Sequence, residues 1–170
     1  LKPDTDGDGL NDWDEVIVLG TDPRHKDTDR DGIEDADEDT DFDGLTDGAE
    51  LNRYKTNPLL ADTDGDGVTD GDEINIYKTN PRLADTDGDG LSDGDEVNIY
   101  KTNPLVADTD GDGLSDGLEV KRHKTDPLLA DTDEDESTDG DEVAAGTDPN
   151  DAKDFPINVV APVITASPDP

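Results

Sequence analysis

Hydrophobic residues enter this chain in short pulses separated by runs of aspartate and glycine. From residue 51 the pulses recur every 23 positions. Leu51, Ile74, Val97 and Val120 open them, and Tyr54, Tyr77, Tyr100 and His123 follow three positions later. That spacing puts both residues on one face of a helix. Lys-Thr-Asn-Pro (55–58, 78–81, 101–104) or Lys-Thr-Asp-Pro (124–127) then ends the pulse. A lysine suits a helix C-terminus. The Asx residue before proline starts a turn, so Asn57, Asn80, Asn103 and Asp126 read as Asx-turn residues, as does Asp22. Near the start, Val16-Ile17-Val18-Leu19 runs into Gly20-Thr21-Asp22-Pro23. This predicts about two turns of helix over 12–19, stopped by Gly20. Leu60, Leu83, Val106 and Leu129 close each unit, and they are expected to stack between neighbouring repeats. Trp13 and the three tyrosines are expected to pack there too.

Between the pulses lies a fixed acidic register. Asp85 to Glu96 reads D-T-D-G-D-G-L-S-D-G-D-E. Acids fall at positions one, three, five, nine and twelve: Asp85, Asp87, Asp89, Asp93 and Glu96, with Gly90 at six and Leu91 at seven. Alternate residues of a tightly wound loop can aim carboxylates at one centre. Glycine at six permits the sharp turn, the seventh residue offers its carbonyl, and the last Glu can bind through both oxygens. This is the spacing of a calcium loop, for an ion that takes about 6–8 oxygens. The register occurs seven times. Loop 1 is 4–15 (Asp4, Asp6, Asp8, Leu10, Asp12, Glu15) and loop 2 is 27–38 (Asp27, Asp29, Asp31, Ile33, Asp35, Glu38). Loop 3 is 39–50 (Asp39, Asp41, Asp43, Leu45, Asp47, Glu50) and loop 4 is 62–73 (Asp62, Asp64, Asp66, Val68, Asp70, Glu73). Loop 5 is 85–96, and loop 6 is 108–119 (Asp108, Asp110, Asp112, Leu114, Asp116, Glu119). Loop 7 is 131–142 (Asp131, Asp133, Asp135, Ser137, Asp139, Glu142). About seven Ca²⁺ are expected.

Two loops break the rhythm. Loops 2 and 3 abut, with starts 12 apart instead of 23. Their ions should lie close, with Glu38 or Asp39 as a shared ligand, and the chain should bend there. Loop 7 has Glu136 for glycine at six and Ser137 for the apolar residue at seven. A Glu at positive φ costs about 1 kcal/mol or more, so this site should be the weakest. Its helix is one residue shorter.

Composition fits this reading. The chain has 170 residues, 13 basic and 49 acidic, for a net charge of −36, and only 28% of residues are hydrophobic. Such a composition suggests disorder, but the period overrides it. Carboxylates about 5 Å apart repel by roughly 0.8 kcal/mol per pair even in water. Calcium reverses that term, so the metal-free chain should be expanded and the calcium form ordered. There is no cysteine to staple the fold. The acidity disfavours nucleic acid, and no apolar run approaches the length of a membrane span. His25 and His123 lie far apart and read as surface residues. Every carboxylate pair is explained as ligand, so no enzyme is expected.

The D-T-D-G-D-G-L-S-D-G-D-E-V and T-N-P-L-L-A-D-T-D units resemble bacterial thrombospondin type 3 repeats over about residues 4–150. The resemblance implies a calcium-filled, elongated, solenoid-like array of loops and short helices, with little α and minimal β structure. It also implies extracellular or cell-surface placement and spacer or adhesion roles. Animal repeats of this kind carry cysteines and this chain has none, so the metal chemistry carries over and the animal partners do not. One loop and helix is also similar to half a dockerin, which uses a pair of such units. Residues 1–150 are expected to form the array, and 151–170 a Pro-rich linker or strand to a next domain or a neighbouring subunit. The function expected is a calcium-dependent spacer or stalk. The alternative is a subunit of a calcium-dependent extracellular filament or an adhesion module.

Overall fold

The computed structural model describes residues 3–156. The strand anticipated toward the C-terminal end lies mostly outside them. The chain divides into two compact units, Leu1–Ala107 with loops 1–5 and Asp108–Pro170 with loops 6 and 7. Among the described residues there are short helices, turns and no strand.

Each regular repeat follows the same course. The loop ends in one α turn: α1 (Asp12–Asp14), α2 (Asp47–Ala49), α3 (Asp70–Asp72), α4 (Asp93–Asp95) and α5 (Asp116–Leu118). The eighth loop residue caps it: the side chains of Asn11, Thr46, Thr69, Ser92 and Ser115 accept an N–H three residues on. This satisfies one of the orphan donors that every helix start leaves. Each α turn then widens into a five-residue π turn, as over Glu73–Tyr77, closed by the Lys78 N–H on the Glu73 carbonyl at 2.7 Å. The predicted helix over 12–19 is present, with its second turn of this wider kind over Glu15–Leu19. Helix α6 (Asp139–Ala145) remains α throughout and ends at Gly146. Four residues separate Glu142 from Gly146, against five from Glu119 to Lys124. That single extra residue is what a π turn accommodates.

The residue closing each π turn sits in the left-handed region. It is Gly20 in the first repeat, and Lys55, Lys78, Lys101 and Lys124 elsewhere, at φ of 64–67°. The lysines offset that strain by folding back. Lys78 Nζ donates to the Ile74 and Asn75 carbonyls at 3.0 and 2.9 Å, and Lys101 and Lys124 do the same one and two repeats later. The lysine therefore caps orphan carbonyls directly, a stronger role than the dipole interaction anticipated.

The core is small and is not where the apolar pulses suggested. Leu10, Leu45, Val68, Leu91 and Leu114, the seventh loop residues, are 1–7% exposed. The prolines of the Asx-Pro turns, Pro58, Pro81, Pro104 and Pro127, are buried too. By contrast Leu60, Leu83, Val106 and Leu129 are 43–50% exposed, and Trp13 is 56% exposed. The expectation that these residues stack between repeats is corrected. The turn that carries the four aliphatics is held by backbone hydrogen bonds, such as Leu60 N–H to the Asn57 carbonyl at 2.9 Å, and so does not need their burial. The Asx reading stands: Asp22, Asn57, Asn80, Asn103, Asp126 and Asp148 each accept the N–H two residues on, at 3.1–3.3 Å.

The junction bends as expected. Loop 2 ends in a 3₁₀ turn (Asp35–Asp37), after which Glu38 is extended. The next helix returns toward loop 1, where Asn52 Nδ2 donates to the Gly9 carbonyl at 2.9 Å across 43 residues.

Candidate metal centres

Within each loop, backbone N–H groups fix the carboxylates before any cation is considered. In loop 4, Asp62 accepts from Gly65 at 2.7 Å and Gly67 at 3.0 Å, while Asp66 accepts from Val68 at 2.8 Å. Asp4, Asp27, Asp85, Asp108 and Asp131 likewise accept from the fourth residue of their loops. The turn needs positive φ at both positions four and six. Gly65 and Gly67 supply it, whereas Arg30, Phe42 and Glu134 adopt it at position four and Glu136 at position six, with φ of 82°.

One oxygen from each of the first, third and fifth residues comes within 4.8 Å of the others, as in Asp4–Asp6–Asp8, Asp27–Asp29–Asp31, Asp39–Asp41–Asp43 and Asp62–Asp64–Asp66. The Glu at twelve closes the site from the helix. Glu15, Glu50, Glu73, Glu96, Glu119 and Glu142 have no exposed surface at all. The seventh residue lies in the core, except Ile33 at 45% exposure and half-buried Ser137. Glu38 is also only half-buried. Burial first, then Asp31 and Asp29 of its own loop and Asp47 of the next, raise its carboxyl above the ordinary value.

The ninth residue has a different first partner. Asp70 accepts the Thr63 N–H at 2.8 Å and the Thr63 hydroxyl at 2.6 Å, and its own N–H donates to the Ala61 carbonyl at 2.9 Å. Asp12, Asp35, Asp47, Asp93, Asp116 and Asp139 are clamped in the same way by Thr5, Thr28, Thr40, Thr86, Thr109 and Thr132. The pair buckles the base of the loop. Spacing alone marks the ninth residue as a ligand and is silent on the threonine, although every loop has Thr at position two.

Three further roles were not anticipated. Thr56, Thr79, Thr102 and Thr125 of the Lys-Thr-Asx-Pro segment are buried, and each donates its hydroxyl to Oε1 of the loop's Glu at 3.0–3.1 Å. The Asx residue's N–H also reaches forward to the next loop, as from Asn57 to Thr63 Oγ1 at 3.0 Å. The glycine at position ten docks loops 4, 5 and 7 on the loop before. The Gly71 N–H donates to Asp43 Oδ2, Gly94 to Asp66 and Gly140 to Asp112, at 2.7–2.8 Å. A Cβ on Gly71 or Gly94 would meet a carbonyl oxygen at 2.0–2.1 Å. Position ten is glycine in loops 3–7 but Trp13 and Ala36 in loops 1 and 2.

Several carboxylate oxygens remain buried with no partner. They include Oδ2 of Asp6, Asp41, Asp64, Asp87 and Asp110, and Oε2 of Glu50, Glu73, Glu96 and Glu119. Stranding that many acceptors is costly unless a cation takes them. Burial first, with the neighbouring aspartates, pushes the Glu50, Glu73, Glu96 and Glu119 carboxyls up to about 8, and Asp64 and Asp110 to about 6. The donor set is all oxygen, at least four carboxylates with a carbonyl to hand, and fits Ca²⁺ better than Mg²⁺, which keeps more of its waters.

The bacterial TSP3 repeat model matches at 4–23, 39–61, 62–82, 85–107, 108–130 and 131–152. The chain belongs to the bacterial TSP3 repeat family. The six TSP3 matches leave out residues 27–38, the loop whose Glu is only half-buried. TSP3 repeats bind calcium, in keeping with the oxygen clusters of these loops. Solved structures that are similar include "Biofilm associated protein - B domain", 51% identical over 26% of this chain and 11% of that one, with a TM-score of 0.26. "Biofilm associated protein - BSP domain" is 50% identical over 26% and 8%, with the same TM-score. The chain thus spans about a tenth of the length of those solved chains. No curated protein matches. Among the described residues no helix is long and apolar enough to cross a membrane.

Proposed function

We propose that this chain is a calcium-stiffened spacer or stalk of a secreted or cell-surface microbial protein, holding about seven Ca²⁺ and performing no catalysis. The observation that carries the reading is the set of fully buried, partnerless carboxylate oxygens in repeat after repeat. Every loop but the second is followed by a helix that its Glu joins, and loops 3, 4 and 6 are tied to the next loop through their fifth Asp. An ion that fixes one loop therefore orients its neighbour. Extracellular calcium modules bind at about 10⁻⁴–10⁻³ M, and only calcium-rich surroundings would fill such sites. Seven ions leave about −22 of the −36 charge, which resists collapse. The partners are calcium and flanking domains of a longer chain.

Small-angle scattering with calcium and with chelator tests this. A globule of this length has a radius of gyration near ~15 Å and an unfolded chain near ~44 Å. A spacer of about one short helix per repeat, roughly 100 Å long, would give about 30 Å. Calcium should move the chain from the unfolded value to that one. Growth into very large particles would support the filament or adhesion reading instead, with neighbouring subunits as partners. No change would remove the calcium argument.

A further inference from the structure

Loop 1 departs from the regular loops in a way that leaves oxygens over. Glu15 has no exposed surface, and neither of its carboxylate oxygens has a partner, whereas Glu50, Glu73, Glu96 and Glu119 each receive a threonine hydroxyl. Asp8 Oδ2 is likewise buried without a partner, whereas Asp43 and Asp66 accept at that oxygen from the next loop's glycine. The difference begins in loop 2. Its tenth residue is Ala36, and a methyl group there does not allow the close glycine contact seen at Gly71 and Gly94. A carboxylate arrives where the N–H does not: one oxygen each of Asp8, Glu15 and Asp35 lies within 4.8 Å of the others.

Asp35 is 4% exposed. It is held in place by Thr28 and by its own N–H on the Lys26 carbonyl at 2.6 Å. Two buried carboxylates and one half-buried one at that separation repel one another unless a cation lies among them. Each carboxylate can accept about four contacts, so the Thr28 bonds leave Asp35 lone pairs to give. We propose that Asp35 of loop 2 is a ligand of the first ion, which sits in a composite site built from Asp8 and Glu15 of loop 1 and Asp35 of loop 2. This rests on the calcium reading above. It gives loop 2, which lacks a buried Glu of its own, a second role as the lid of loop 1.

Trp13, the chain's one tryptophan, lies inside loop 1 and offers a local probe. Tb³⁺, an ion of calcium's size, is titrated into the full chain with excitation selective for tryptophan, and the sensitised emission reports the first site. Asp35→Asn should weaken that site by about tenfold or more. Asp27→Asn, which removes a ligand of loop 2 alone, should leave it within about twofold. Asp35→Glu should recover part of the loss. An Asp35→Asn titration within twofold of the parent would overturn the proposal. So would an equal loss in Asp27→Asn, since the effect would then pass through loop 2's own ion or fold. Parent emission that calcium does not displace would instead sink the calcium reading, and the composite site with it.

Discussion

Loop 4 and loop 2 carry the same five acids at the same spacing, yet they fold to different ends. In loop 4, Glu73 opens a π turn, has no exposed surface and is held by Thr79. In loop 2, Glu38 is extended and half-buried, and it leads straight into the first ligand of loop 3. The difference lies in the segment after the Glu. Loop 4 has 11 residues of helix and Lys-Thr-Asn-Pro turn before the next loop, and loop 2 has none. A metal loop of this type is completed by that segment, which buries the Glu, caps the helix and supplies the threonine. The acidic register alone makes a cluster; the spacer makes it a closed site.

The sharpest way to break that contrast is to remove the Glu from each. Glu73→Gln should cost its site at least about 100-fold in calcium affinity, and Glu38→Gln about tenfold or less. Site-resolved calcium titration by NMR would separate the two, and equal losses would remove the distinction. Docking comes next. Gly94→Ala drives a methyl group into the Asp66 carbonyl and should cost about 1–3 kcal/mol in calcium-loaded unfolding. Ala36→Gly in loop 2 should be far milder.

Acidity should act in opposite directions with and without metal. In the metal-free loops burial lifts Glu50, Glu73, Glu96 and Glu119 from an ordinary 4.5 to about 8. Their folded pKa is raised, so the order they permit is fullest below about 4.5 and is lost as pH rises through about 8. With calcium present, protons compete for the same oxygens, and acid should release the ion. Circular dichroism from pH 4 to 9, with chelator and with calcium, should show the two trends crossing; parallel trends would contradict this. The smallest effect is expected in loop 7, where Glu136→Gly relieves a residue held at φ 82° and should stabilise that repeat by about 1 kcal/mol. Hydrogen exchange of residues 131–142 would register it.

Much of the site was legible because metal chemistry fixes residue type at fixed spacing. The Asp register, the glycine at six, the short helix over 12–19 and the bend at residue 38 all follow from it. The parts that could not be read are those where one residue serves two repeats. Thr63 looks like filler between two ligands, yet its hydroxyl donates to Asp70 and accepts from Asn57. Gly94 reads as loop composition until Asp66 of the previous repeat lies against it. Leu60 and Leu129 misled for the opposite reason. Hydrophobic pattern predicts burial only where a second surface exists, and in this fold the buried surface is used up by the seventh loop residue and the prolines.

Calorimetric calcium titration of the chelator-stripped full chain, run in buffers of different ionisation enthalpy, tests the central claim most directly. Buried carboxylates that hold protons until a cation takes them predict saturable uptake approaching seven ions per chain, with protons released at pH 7. Weak uptake that does not saturate and releases no protons, as from an unstructured polyanion, would contradict the account.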